Sequence, residues 1–529
     1  MTLQVAVIGS GLSAIGAIKA LQKLGYKPVV LDCGETLDTE RSALAESLSA
    51  KEPHEWTEQE RNSLSRNYTV DKGDAIPKKL LFGSDYFYGK SRSDAPVESS
   101  GNPPPFSYAL GGFSVGWGAA ALPPQECDLR DWPVDADEIN KYCEIAISDL
   151  PYSASIDGLS LNFKVLQNSP QALHLSEAEK MILDRLKSAS VLEKDKLVFG
   201  QSRLIVNPVS NDKSVGCKYC GQCMSGCVYK CIYKANDEIL LLSECGNIDY
   251  RPGCLVHEIT EIGDRVEVKY LGADGRENIT AFDKVFLAAG AVNSTRIVLN
   301  SLKMFDRKVK LKSRGGYVMP VFSFKKLPID WPNCNTQPGI FLEFKGGLLK
   351  HWVHVQISTA NELLFQKLKI QPGARGVVAR IKKFMLEHVM LMFVNLHSDY
   401  AGHYELWLTQ AKGEMDSNCL HSRHHKSDSH FSIFALSAFR LLKICLKIGC
   451  FPLILFAKNN SGSYHVGGTL PMKAEGGDNL ETDELGRISA WQHVHIVDSS
   501  IFPSLPGTTI GLMAMANAMR IVEKVKWDK

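Results

Sequence analysis

No stretch of this 529-residue chain supplies the roughly 20 consecutive apolar residues that a membrane-spanning helix needs. The most apolar one, Phe431 to Ala457, is interrupted by Arg440, Lys443 and Lys447, and Lys458 follows it. It reads as a core helix followed by a strand at Phe451–Phe456, or as a helix lying in a membrane interface. A second basic and apolar stretch, Leu363 to Phe393, supports the interfacial reading. Charge of one sign is also missing. A net charge of +2 creates no field that would favour nucleic acid or an acidic partner. There is no basic region ahead of an apolar signal core, and no internal repeat. The fourteen cysteines are therefore expected to be reduced, in a cytoplasmic setting, with peripheral contact at the inner face of a membrane as the alternative. With 44% hydrophobic and 22% charged residues, the composition is that of a globular protein large enough for more than one core.

The N-terminus carries a pattern with chemical meaning. Val5, Ala6, Val7 and Ile8 form a continuous apolar run, as a buried parallel strand would. Gly9, Gly11 and Ala14 follow in G-x-G-x-x-A spacing. The first glycine permits a tight turn, the second lets the backbone approach a pyrophosphate, and the small third residue allows helix and strand to pack closely. A helix is predicted over Ala14–Leu24, ended by Gly25, with a second strand at Pro28–Leu31. Asp32 stands about 20 residues beyond the glycines, where an acid can bind ribose hydroxyls. The helix start offers unpaired N–H groups to phosphates. This segment alone leaves FAD and NAD(P) both open.

Residues 217–231 read CKYCGQCMSGCVYKC. Cys217, Cys220, Cys223 and Cys227 have the C-x2-C-x2-C-x3-C spacing of a bacterial ferredoxin, an iron–sulfur pattern. Val228 stands where proline normally follows, and no second run exists. Zinc, or a structural or disulfide-prone loop, are the other readings.

Residues 464–472, YHVGGTLPM, and 494–520, VHIVDSSIFPSLPGTTIGLMAMANAMR, close the chain. This end resembles the closing segment of the glucose–methanol–choline family of FAD-dependent oxidoreductases, and two inner segments resemble the same family. One is ALGGFSVGWGAAAL, with Gly112, Ser114 and Trp117, similar to a stretch that wraps over the flavin. The other is KVFLAAGAVNSTRIVLNS, with Ala289 and Gly290 ahead of a helix starting near Ser294. The resemblance implies a Rossmann-type FAD-binding α/β domain and a second α+β substrate domain built on an antiparallel sheet. It implies that Asp498 and Thr508 approach the cofactor and that the backbone near Val256 holds the adenine. It also makes His465 the base beside the flavin, a role suited to imidazole, which titrates near neutral pH. The family's second active-site His or Asn falls on Thr509, whose hydroxyl can orient a substrate but cannot act as a base. His493 and His495 are alternatives to it.

The implied organisation is an FAD-binding part over 1–143 with an insertion at 35–100, and a substrate part over 144–235 with the cysteine loop. A second FAD-binding part spans 236–301, a second substrate part 302–460, and a closing FAD-binding part 461–529. The activity implied is oxidation of a CH–OH group by hydride transfer to flavin N5, on a sugar or glycoconjugate. Alternatives are a sterol or long-chain alcohol at a membrane surface, and a flavin-binding isomerase or electron-transfer protein. The electron acceptor, whether oxygen, a quinone or a partner protein, is not encoded in any motif.

Overall fold

The computed structural model describes residues 3–64, 79–189, 193, 196–211, 214–368, 376–413, 417–427, 430–459, 464–475 and 478–527. Residues 65–78 of the insertion and 369–375 of the second basic stretch lie outside the described residues.

The apolar runs read from the sequence assemble into one parallel sheet. Its strand order is Val494–Ile496, Lys284–Leu287, Val5–Ile8, Val29–Leu31 and Asp249–Arg251. Chain segments separated by hundreds of residues thus lie side by side. The helix Leu12–Lys23 begins directly after Gly11, two residues earlier than predicted, because Gly11 itself takes the extended N-cap conformation. This helix packs against the closing helix Gly511–Lys524 at Gly16, where a Cβ would sit 2.2 Å from the Met515 carbonyl oxygen. Gly16, outside the fingerprint, is the residue that lets these two helices touch. The helix Ala291–Ser301 likewise begins earlier than Ser294, straight after Gly290.

The second domain rests on a seven-stranded antiparallel sheet. Its path runs Cys450–Pro452, Gly315–Ser323, Val389–Leu396, Leu349–Ser358, Ile340–Gly346 and Leu197–Gln201, with Lys458–Asn459 also pairing on Gly315–Ser323. Period-two alternation divides its faces. Val353, Val355, Ile357, Leu342 and Phe344 point outward into an apolar layer under the helices Glu177–Ser188 and His430–Lys447. Phe341, Glu343, Trp352, His354 and Asn395 occupy the opposite register, toward the domain of the parallel sheet. The strand expected at Phe451–Phe456 ends at Pro452, since proline has no N–H to continue a ladder, and a short 3-10 turn takes Ile454–Phe456.

Two smaller sheets complete the fold. Three antiparallel strands, Leu255–Ile262, Arg265–Leu271 and Glu277–Phe282, flank the parallel sheet. A five-stranded sheet runs Val466–Gly467, Val309–Ser313, His403–Thr409, Cys419–His425 and Val97–Ser100. Arg314 is the single residue between the strands Val309–Ser313 and Gly315–Ser323, at the corner where the chain changes sheets.

Candidate active site

The cleft at the glycine turns is built largely by backbone. Gly9 has φ +105°, and a Cβ there would lie 2.4 Å from the Ala288 carbonyl oxygen, so the first strand turn and the Ala288–Gly290 turn touch. Gly112, at φ +55°, comes against Gly11, with 3.7 Å between its would-be Cβ and the Gly11 Cα. Both positions demand glycine, one for contact and one for the left-handed backbone. Ala14 is fully buried behind the turn.

Asp32 caps the second strand from within. Its carboxylate accepts from Ser10 Oγ at 2.6 Å and Tyr250 Oη at 3.3 Å, and Ser10 Oγ in turn accepts from the Gly111 N–H at 2.9 Å. Burial raises the Asp32 pKa to about 7, outweighing those hydrogen bonds. A buried acid so poised fits a site completed by further hydroxyl donors. Val256 lies buried two residues after Cys254, whose N–H donates to the Asp32 carbonyl at 2.9 Å.

Asp498 takes a different part. Its carboxylate accepts from the Gly290 N–H at 2.9 Å, from Ser294 Oγ at 2.5 Å, and from Ser500 N–H at 2.9 Å and Oγ at 2.6 Å. It therefore binds the closing segment to the Ala289–Gly290 turn with four protein donors. Ser114 Oγ donates to the Gly111 carbonyl at 2.6 Å and accepts from Ala235 N–H at 2.9 Å. The Trp117 ring covers Gly511 at the start of the closing helix, and its Nε1 donates to the Tyr233 carbonyl at 2.7 Å.

The neighbours of His465 pack beside this cleft. The Tyr464 ring lies 5.3 Å from that of Phe113, the residue after Gly112, and its hydroxyl is 2.9 Å from Tyr88 Oη. Thr469, four residues on, accepts a 2.7 Å bond from Thr295 in the helix behind Gly290. The His465 carbonyl accepts from Arg314 N–H at 3.0 Å. The Arg314 guanidinium, itself buried, donates to the carbonyls of Gly507 and Thr508 at 3.3 and 3.1 Å. One cation thus ties the histidine segment to the loop bearing Thr508 and Thr509. Burial, then Arg314, then His354 hold the His465 imidazole well below its ordinary pKa, so it is neutral at neutral pH. Thr509 Oγ1 accepts from Leu122 N–H at 3.4 Å, and Thr508 Oγ1 is buried with no hydrogen-bond partner among the described residues.

His493 and His495 lie elsewhere. His495 is buried on the edge strand of the parallel sheet, stacked on Phe286 at 5.3 Å and bonded through Nδ1 to the Leu485 carbonyl at 2.9 Å. The His493 N–H donates to Glu261 at 3.0 Å. The residues that do reach His465 and that no motif marked are Arg314 and His354. His354 Nδ1 lies 2.5 Å from Glu343 Oε1, both fully buried on adjacent strands. Burial pushes the Glu343 carboxyl well up, with Asp128 adding, and pushes His354 down to about 3, with Arg314 adding. The pair is thus held neutral, with the proton on the carboxyl. Alternation along 340–346 and 349–358 could have revealed them as polar residues at inward positions of buried strands.

The cysteine loop closes a separate small hollow lined by Cys217, Cys220, Cys223, Cys227 and Cys231 with Asn335. All fourteen cysteines are free thiols. N–H groups aim at the sulfurs: Asn335 Nδ2 at Cys217 (3.6 Å), Thr336 N at Cys223 (3.4 Å), and the Gln222 and Ile232 amides at Cys220 and Cys227. Within the loop, Tyr219, Gly221, Gly226 and Lys230 take left-handed backbone. No three of the sulfurs lie within 4.8 Å of one another, wider than the spacing of about 3.8 Å that one tetrahedral zinc imposes. Thiol donors of this kind suit a soft metal or an iron–sulfur cluster.

No protein-family model and no curated protein matches the chain. Among solved structures it is similar to pyridoxine 4-oxidase from Mesorbium loti, with a TM-score of 0.61 and 13% identity over 99% of each chain. That likeness establishes the architecture over the whole length: a Rossmann-type α/β domain joined to an α+β domain on an antiparallel sheet.

Proposed function

We propose that the chain is an FAD-dependent oxidoreductase of glucose–methanol–choline type, which converts a CH–OH group to a carbonyl. The observation carrying this reading is the packing of Tyr464, the neighbour of His465, against Phe113, the residue after Gly112. Gly9, Gly11, Ala14 and the helix start Leu12–Lys23 would hold the pyrophosphate. Asp32 would hold the ribose, the Val256 backbone the adenine, and Gly112, Ser114, Trp117, Ala289, Gly290, Asp498 and Thr508 would line the remaining path. When bound, FAD supplies the electron sink, taking the substrate hydride at N5. His465 accepts the hydroxyl proton, which a neutral imidazole can do and an imidazolium cannot. Thr509 orients the hydroxyl. Arg314 fixes the distance between these two groups, and its charge favours a developing alkoxide.

A sugar or glycoconjugate is the substrate class. It draws on the family resemblance and on the polar inward face of the seven-stranded sheet, where half-buried Gln356 sits beside His354 at 3.0 Å. Cys217, Cys220, Cys223 and Cys227 would hold an iron–sulfur cluster that carries electrons onward. Trp117 supports that link, since it covers the cofactor cleft and bonds Tyr233, two residues past Cys231. The second reading, a sterol or long-chain alcohol, is favoured by the exposed apolar outer surface of the second domain.

The test is the visible spectrum of purified protein, followed by anaerobic mixing with a panel of aldoses, glycosides and sterols. Bleaching of bound flavin by a sugar is expected, with iron and acid-labile sulfide present in the same sample. Bound flavin that stays oxidised across the whole panel would overturn the dehydrogenase reading.

A further inference from the structure

All six exposed phenylalanines of the described residues, Phe324, Phe384, Phe431, Phe439, Phe451 and Phe456, lie on the outer side of the second domain. They belong to three segments: 320–326, 376–393 and 430–458. The helix Val377–His388 buries only Leu386. Its apolar residues Val377, Ile381, Phe384 and Met385 recur at i, i+4, i+7 and i+8, a helical stripe that stays exposed among the described residues. The 3-10 turn Ile454–Phe456 holds Leu455 and Phe456 out at 97% and 67% exposure. The outer side of helix His430–Lys447 presents Phe431, Phe439 and Leu446.

These features adjoin one another. The Phe322 ring lies 6.1 Å from Phe384 and 6.0 Å from Phe324, and Phe322 pairs with Phe451 across two strands. Phe324 N–H donates to the Gly449 carbonyl, just past Leu446, and Leu453 N–H donates to Pro320. The strand pairing therefore gathers the stripe, the turn and the helix end into one apolar surface.

Its charge decides the partner. The three segments carry nine Lys or Arg residues and a single acid, Glu387, a balance of +8 in a chain whose total is only +2. Seven of the nine cations are lysine, and neither Tyr nor Trp occurs in these segments. Protein interfaces are enriched in Tyr, Trp and Arg and depleted of Lys. Long lysine stems that lie along apolar surface with their heads in water suit a headgroup layer instead, and Lys443 Nζ sits 4.6 Å from the Phe439 ring. No described helix is long and apolar enough to cross a membrane.

We propose that this face docks on an anionic lipid bilayer, inserting the helix Val377–His388 and the turn Ile454–Phe456 among the headgroups while the lysines meet the lipid phosphates. The seven-stranded sheet stands between this face and the site of His465, so docking holds for any substrate and does not depend on the flavin reading.

The experiment uses the whole purified chain in flotation with phosphatidylcholine vesicles, with and without half phosphatidylglycerol, at low and high salt. Binding to the anionic vesicles, weakened by salt, is expected. The double substitution Leu455→Glu with Phe456→Glu alters only solvent-facing residues and should lower the partition coefficient at least tenfold. Lys382→Glu with Lys383→Glu should do the same, most strongly at low salt. Flavin content and turnover measured on the same samples report the fold and the proposed chemistry separately. Absence of binding, or binding untouched by both double substitutions, would overturn the proposal. A concentration-dependent dimer, abolished by the first pair and indifferent to vesicles, would overturn it in favour of a second copy of the chain.

Discussion

The parallel and the seven-stranded antiparallel sheets bring residues to one site by different means. Around the parallel sheet the groups that meet are backbone: glycine turns at 9, 11, 112 and 290, and the starts of the helices Leu12–Lys23, Ala291–Ser301 and Gly511–Lys524. On the antiparallel sheet they are side chains aligned by register: Glu343 beside His354, with Asn395 on the next strand and Gly316 beyond it. The first arrangement tolerates no Cβ at its tightest contact, Gly9 against the Ala288 carbonyl. The second tolerates no loss of a polar partner. Steric substitutions should therefore break one half and leave the other standing, and partner deletions should do the reverse.

The largest effect is expected on the backbone side. Gly9→Val would press a branched side chain into the Ala288 carbonyl from a left-handed backbone, and the purified protein should lack flavin absorbance altogether. Retention of the normal flavin spectrum would break the comparison at its base. Next comes the residue where the two halves meet. His465→Ala should leave flavin bound but slow its anaerobic reduction by substrate by about 10²–10⁴, as expected when a general base is removed.

This difference also governs what the chain discloses before folding. Backbone sites need particular residues at fixed spacing, so Gly9, Gly11, Ala14 and Asp32 can be read within one segment, and KVFLAAG and the histidine segment are similarly local. Gly16 escaped because its partner, Met515, is 499 residues away and the contact leaves no spacing signature. Arg314, Glu343 and His354 were harder to read for a related reason. Each is an ordinary polar residue in a strand-like stretch, and only the pairing of 340–346 with 349–358 turns two of them into a buried pair. The cysteine loop lay between these cases: its spacing was local, whereas the amides of Thr336 and Asn335 that face the sulfurs come from more than a hundred residues away.

On the side-chain half, Glu343→Ala strips His354 of its partner in a fully buried setting. Leaving a buried polar group without its hydrogen-bond partner costs about 1–3 kcal/mol, measurable as a lower denaturant midpoint, whereas Glu343→Gln keeps a hydrogen-bonding group and should cost less. Equal losses for the two would mean that volume, not pairing, matters there. The pH response follows from His465 itself. Its folded pKa lies below the ordinary 6.5, so the base stays competent as pH falls through 6.5 and is lost only further down. The acid limb of kcat/KM should sit below pH 6.5. By the same sign, the unfolded chain takes up this proton first, so the histidine's contribution to stability is present above pH 6.5 and falls as the solution is acidified toward its folded pKa.

The smallest effect concerns the position where the two halves share a hydroxyl. Thr509 accepts a long 3.4 Å bond from Leu122, and Arg314 holds its loop through the carbonyls of Gly507 and Thr508 and not through the threonine side chains. Loss of one neutral hydrogen bond is worth about 0.5–1.5 kcal/mol, so Thr509→Ala should slow flavin reduction by roughly two- to tenfold. Thr509→Val, which keeps the volume and removes the hydroxyl, should match it. If Thr509→Ala instead fell as far as His465→Ala, the hydroxyl would be acting on the proton and not merely on its orientation. The division of labour between a base from the histidine segment and an orienting loop held by Arg314 would then have to be redrawn.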